Sequence, residues 1–133
     1  NRQFITRKNA SNDLLTALEK LLTDYFNTNK VAELGLPTVQ YISEQLHVSP
    51  NYLSDMLRSL TGQSTQQHIQ DKLIEKAKEI LTTTSLSVSE IAYLLGYEYP
   101  QSFSKLFKNR TNVSPLEYRS KFGVMLNSKN SDC

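Results

Sequence analysis

The sequence predicts an all-α domain of seven helices, arranged as two helix-turn-helix subdomains joined by a long linker helix. Three observations carry this expectation. Apolar residues recur at spacings of three and four almost from end to end, and alternating strand patterns are nearly absent. Serine and threonine caps, several followed by a glutamate or glutamine three residues on, punctuate that periodicity. A two-helix pattern is also written twice, about 50 positions apart.

Residues 1–12 lack apolar periodicity and read as a disordered lead-in. Leu14, Leu15, Leu18, Leu21, Leu22, Tyr25 and Phe26 then form one apolar helical stripe, with Ser11 or Asn12 as its cap. The segment 27–37 breaks that helix. Thr38 opens the next, whose inner face carries Val39, Ile42 and Leu46. Ser49 is the N-cap of a third, with Pro50 at the first helical position, where its missing N–H costs nothing. Leu53, Leu57 and Leu60 form its inner seam, and Gly62 can supply a left-handed C-terminal cap. Ser64-Thr65-Gln66-Gln67 has the capping-box form and opens the linker helix, which runs to about Thr82 with Ile69, Leu73, Ala77, Ile80 and Leu81 inward. Ser87-Val88-Ser89-Glu90 is a second box, ahead of Ile91, Ala92 and Leu95, and Gly96 stops that helix. Pro100 begins the next, with Phe103, Leu106 and Phe107 inward. Ser114-Pro115-Leu116-Glu117 opens a short last helix through Tyr118 and Phe122. The resulting subdivision is 1–12, a first subdomain over 13–63, the linker over 64–84, a second subdomain over 85–126, and a polar, disordered tail over 127–133.

The repeat is specific. Ile42, Leu46 and Val48 reappear 49 positions later as Ile91, Leu95 and Tyr97. After one inserted residue in the turn, Leu53, Ser54, Leu57, Thr61 and Ser64 reappear at an offset of 50 as Phe103, Ser104, Phe107, Thr111 and Ser114. Opposite the apolar seam, the second helix of the first copy presents Asn51, Ser54, Asp55 and Arg58, and that of the second copy presents Gln101, Ser104, Lys105 and Lys108. Short amides, hydroxyls and basic groups are the types that reach base edges and phosphates in a major groove. A merely structural surface more often alternates Glu and Lys at i,i+4.

Charge supports the same face. The chain as a whole carries only +2. Residues 98–121 hold Lys105, Lys108, Arg110, Arg119 and Lys121 against Glu98 and Glu117, a balance of +3. Residues 39–62 hold Arg58 against Glu44 and Asp55, a balance of −1. Lys105 and Lys108 are placed to grip backbone or a guanine edge, with Arg119 capping that surface.

Other classes fare poorly. The longest apolar run, residues 91–95, is far short of the ~20 residues of a membrane span. The lone cysteine, Cys133, makes no disulfide framework or Cys-based zinc site and fits a reducing compartment. His47 and His68 lie 21 residues apart without a companion ligand pair. Ser49, Ser64, Ser87 and Ser114 are accounted for as caps, and neither a phosphate loop nor a nucleophile elbow is present. No catalytic residue, metal or cofactor is therefore expected. The chain starts at Asn1 without an initiator Met and reads as a fragment of something longer.

The run SVSEIAYLLGYEYPQSFSKLFKNRTNVSPLEYR, residues 87–119, resembles the C-terminal signature of the AraC/XylS family of transcriptional regulators. The matching elements are Ile91-Ala92, Gly96-Tyr97, Ser102-Phe103, Phe107-Lys108, and Ser114-Pro115 ahead of Tyr118-Arg119. The first copy matches through Ser49-Pro50, Tyr52-Leu53-Ser54 and Thr61-Gly62. Asn112 departs from the family's usual Gly, and Asp55 occupies a position that is often basic or amide-bearing. The resemblance implies a cytoplasmic, sequence-specific double-stranded DNA-binding domain, with recognition helices at about 50–61 and 100–110 entering successive major-groove segments. It also implies contact with RNA polymerase, and an oligomeric state set by an upstream region. The rival reading is a helical protein-interaction module that docks through its apolar helix faces, the 14–26 stripe first among them.

Overall fold

Helix caps set most of the element boundaries. The computed structural model describes residues 7–28 and 30–123, and among the described residues the chain forms eight helices. They are α1 (Arg7–Asn27), α2 (Lys30–Leu34), α3 (Val39–Gln45), α4 (Pro50–Thr61), α5 (Thr65–Thr83), α6 (Val88–Leu94), α7 (Pro100–Thr111) and α8 (Pro115–Phe122). The caps expected from Thr38 onward are in place. Thr38, Ser49, Ser87 and Ser114 each accept a hydrogen bond from the backbone N–H three residues on. Ser64 and Gln67 close a reciprocal box, with N–H to oxygen distances of 2.8 and 3.2 Å.

Two expectations are corrected. α1 begins at Arg7, N-terminal to the cap expected at Ser11 or Asn12. Of the expected lead-in, residues 7–12 are helical and 1–6 lie outside the described residues, as does the tail over 127–133. The extra helix, α2, falls in the segment read as a break. Its Val31 is buried, and the Gly35 N–H closes it by donating to the Val31 carbonyl at 2.8 Å with a left-handed φ of 81°. Burial of that one side chain supplies what a five-residue helix lacks by itself.

The chain divides into two compact units, with the boundary inside α5. The first holds α1, α3, α4 and α5 through Lys72. Its core is Leu18, Leu22, Ile42, Leu53, Leu57 and Ile69, all buried. The α1 stripe thus faces inward: Leu18, Leu22, Tyr25 and Phe26 are buried, and Leu14, Leu15 and Leu21 pack against the core. That removes it as the docking face of the rival reading. α3 packs on α4 to make the two-helix motif, and Tyr25 meets Tyr41 edge-on at 5.5 Å.

The second unit holds Val31–Leu36, the rest of α5 from Leu73, and α6 to α8. Ile91, Ala92, Leu95, Phe103 and Phe107 form its interior. An aromatic chain runs through it, Tyr97 to Phe103 to Phe107 to Tyr118 to Phe122, with successive centroids 4.6–5.9 Å apart. Gly96 lies against Val31 and Leu36: a Cβ there would stand 3.3 Å from Val31 Cγ1. The short α2 segment therefore closes directly over the α6–α7 turn.

Candidate nucleic-acid interface

The exposed faces of α4 and α7 are built alike. In α4, Pro50 follows the Ser49 cap, and Leu53, Met56 and Leu57 are buried. That leaves Asn51, Tyr52, Asp55, Arg58 and Ser59 exposed. In α7, Pro100 opens the helix, and Phe103 and Phe107 are buried. Gln101, Ser102, Lys105, Lys108 and Asn109 are exposed. Each helix ends on a left-handed residue whose N–H donates four residues back: Gly62 to Arg58 O at 2.9 Å, and Asn112 to Lys108 O at 2.7 Å. Asn112, at φ 70°, replaces glycine there, as its short polar side chain permits.

Most of the residues expected to bind DNA stand free. Among the described residues, the side chains of Asn51, Asp55, Arg58, Gln101 and Lys105 make no hydrogen bond and no ion pair. Lys108 makes no ion pair either, but its charge reaches Glu117. The Glu117 carboxylate is held below the usual range, first by the Ser114 N–H it accepts at 2.8 Å, then by the Ser114 hydroxyl, with Lys108 and Lys121 adding smaller pulls.

Three residues expected on that surface are placed otherwise. Ser54 is half-buried, with its hydroxyl 3.3 Å from that of buried Thr65 at the start of α5. It ties α4 to α5. Ser104, at the repeat-equivalent position, is likewise half-buried. Arg119 is engaged within the fold and does not stand free. Its Nε donates to Leu81 O at 3.0 Å, and one terminal nitrogen donates to Thr84 O at 3.2 Å and Leu86 O at 2.6 Å. These are orphan carbonyls at and just beyond the end of α5, and a cationic fork is the natural donor for them.

Sequence reasoning passed over Tyr52, Ser59, Ser102 and Asn109, which share the exposed faces. The signal was available, because the offset of 50 pairs 52 with 102 and 59 with 109. A further tie secures the C-terminal end of α4. Thr61 Oγ1 donates to Leu57 O at 2.7 Å, so the 2.9 Å approach to His68 Nε2 has the imidazole N–H as donor. Partial burial lowers the His68 pKa, against a small opposing pull from Glu19.

A family model described as a helix-turn-helix domain matches residues 42–121, which span both two-helix motifs and the helix between them. The chain belongs to the AraC-type helix-turn-helix family. AraC-type domains are the DNA-binding parts of transcriptional regulators. Among curated relatives, the chain is 28% identical to YijO, an uncharacterised HTH-type transcriptional regulator of Escherichia coli, over 85% of this chain and 39% of that protein. It thus spans well under half of that relative. Among solved structures, it is similar to the C-terminal domain of AraT, a response regulator from Geobacillus stearothermophilus, at 31% identity and a TM-score of 0.68, covering 81% of this chain and 84% of that one. A transcriptional regulator with an AraC-type DNA-binding domain from Chromobacterium violaceum shares the fold at a TM-score of 0.73 and 21% identity, covering 84% and 94%.

Proposed function

We propose that this AraC-type domain binds double-stranded DNA by sequence, inserting α4 and α7 into successive major-groove segments, and carries no catalysis of its own. The observation that supports this most is the pair of matched, exposed faces whose side chains are left without partners in the fold. Asn51, Asp55 and Arg58 on α4, and Gln101 and Lys105 on α7, are donors and acceptors with nothing to satisfy them but water or a ligand. Lys108 adds a grip on the backbone or a guanine. Ser54 ties α4 to the start of α5, and Ser54 and Ser104 touch DNA from the edges of their helices. Base edges and phosphates take this mixture of groups; an apolar partner does not. The regulator works in the cytoplasm, with RNA polymerase as a second partner and an oligomeric state set outside this chain, as the family resemblance implies.

The test is a fluorescence-anisotropy titration against duplex DNA at several salt concentrations. Affinity should fall steeply and linearly on logarithmic axes as counterions compete. Binding that is absent, or insensitive to salt, would refute the reading.

A further inference from the structure

The two recognition helices share a register but not a chemistry. At equivalent positions α4 carries Asp55 where α7 carries Lys105, and Tyr52 where α7 carries Ser102. The substitution of an acid for a base is the one that needs explaining. Asp55 is exposed and unpaired, although Arg58 lies three residues on, at a spacing where opposite charges on a helix commonly meet. Its carboxylate is therefore not neutralised within the chain. On a helix that enters DNA, such a group is repelled by phosphates and weakens binding unless a base edge offers it a donor.

The major-groove edges differ in what they offer. Guanine presents the acceptors N7 and O6, and thymine presents the acceptor O4 beside a methyl group. Adenine sets its N6 donor next to the N7 acceptor. Cytosine presents the N4 amino donor without an adjacent lone pair. An ionised carboxylate is acceptor-only, so cytosine alone satisfies it without opposing a second acceptor. The Lys105 ammonium is donor-only and takes the reverse choice, guanine or phosphate.

We infer that Asp55 is a specificity-determining residue that selects a cytosine in the DNA segment read by α4, so that the full target consists of two unlike half-sites. The inference rests on α4 entering a major groove, as proposed above. Asp55 lies about one and a half turns from the start of α4, on the part of a recognition helix that reaches base edges.

The test is selection of bound sequences from a pool of random duplex DNA, using the parent chain, Asp55→Asn and Asp55→Ala. The parent should enrich cytosine about tenfold over other bases at one position. Asp55→Asn should move that single preference to adenine, because an amide matches the N6 donor and N7 acceptor together. Asp55→Ala should lose the preference there, keep the rest of the profile, and bind random DNA at least as tightly as the parent. An Asp55→Asn profile identical to the parent's, or a parent preference other than cytosine at the position that responds, overturns the inference while DNA binding stands. A parent that retains no duplex overturns the proposed function itself.

Discussion

Arg119 illustrates how a cation in a basic stretch can be tied into the fold by its own guanidinium. As a residue in a basic stretch it reads as a phosphate ligand, yet its guanidinium is held by three backbone carbonyls between Leu81 and Leu86. Those carbonyls belong to the end of α5 and the segment leading to the Ser87 cap, so Arg119 fixes the approach to α6. Removing a charged donor that serves partly buried acceptors costs about 1.5–3 kcal/mol per strong bond replaced by water or left open. We expect Arg119→Ala to lower stability by about that amount in a denaturant melt. The slope of logarithmic affinity against logarithmic salt should stay at the parental value. A flattened slope would return Arg119 to the DNA surface.

At the scale of elements, the two turns between paired helices solve one problem with different residues. The turn of the first motif places His47 at φ 61°, and the equivalent turn of the second places Gly96 at φ 90°. The left-handed conformation costs an L-residue about 1–2 kcal/mol. Glycine avoids this but loses about 0.5–1 kcal/mol of extra chain entropy on folding. His47 is exposed and makes no side-chain hydrogen bond among the described residues. His47→Gly should therefore stabilise by about 0.5–1 kcal/mol, measured as a raised melting temperature. Gly96→Ala should do the opposite and by more, because its Cβ would also press on Val31 and Leu36. The α8 capping box gives a pH prediction. Glu117 has a folded pKa below its unfolded one, so its contribution is present above the usual glutamate range and fades as pH falls through the lower folded value. Glu117→Gln keeps the acceptor at the Ser114 N–H and removes that titration. Melts across the acid range, from neutral pH to below the folded value, should show a shallower acid loss in the variant; superimposable profiles would exclude Glu117 as the group responsible.

For the molecule as a whole, the proposed phosphate grip and the proposed cytosine choice fall on different helices. With Arg119 turned inward and Arg110 half-buried, Lys105 and Lys108 are the cations on the exposed face of α7. α4 sets Arg58 against Asp55. Removing one cation that neutralises a phosphate of B-DNA should flatten the logarithmic salt slope by about 0.9. Lys105→Ala and Lys108→Ala should each do so and weaken binding to specific and random duplexes alike. Parental slopes in both variants would move the phosphate grip elsewhere.

Much of this was legible in the chain itself, because it depends on neighbours close in sequence. A period of three to four puts Leu53 with Leu57, and Phe103 with Phe107, on one buried seam. A serine three residues before its partner N–H makes a cap whatever surrounds it, as at Ser87 and Ser114. Gly62 and Asn112 end their helices because few other side chains tolerate that backbone. The doubled motif followed from these local rules, and with it the faces of α4 and α7. What the tertiary structure alone decided are pairings across distance. Arg119 finds carbonyls 33 to 38 residues away, Ser54 finds Thr65 eleven residues on, and Val31 draws a five-residue helix onto the α6–α7 turn. Periodicity says which way a side chain points along its own helix. What it meets there depends on the path of the rest of the chain, and so the split between residues that hold the fold and residues left free at the surface appears only once that path is closed.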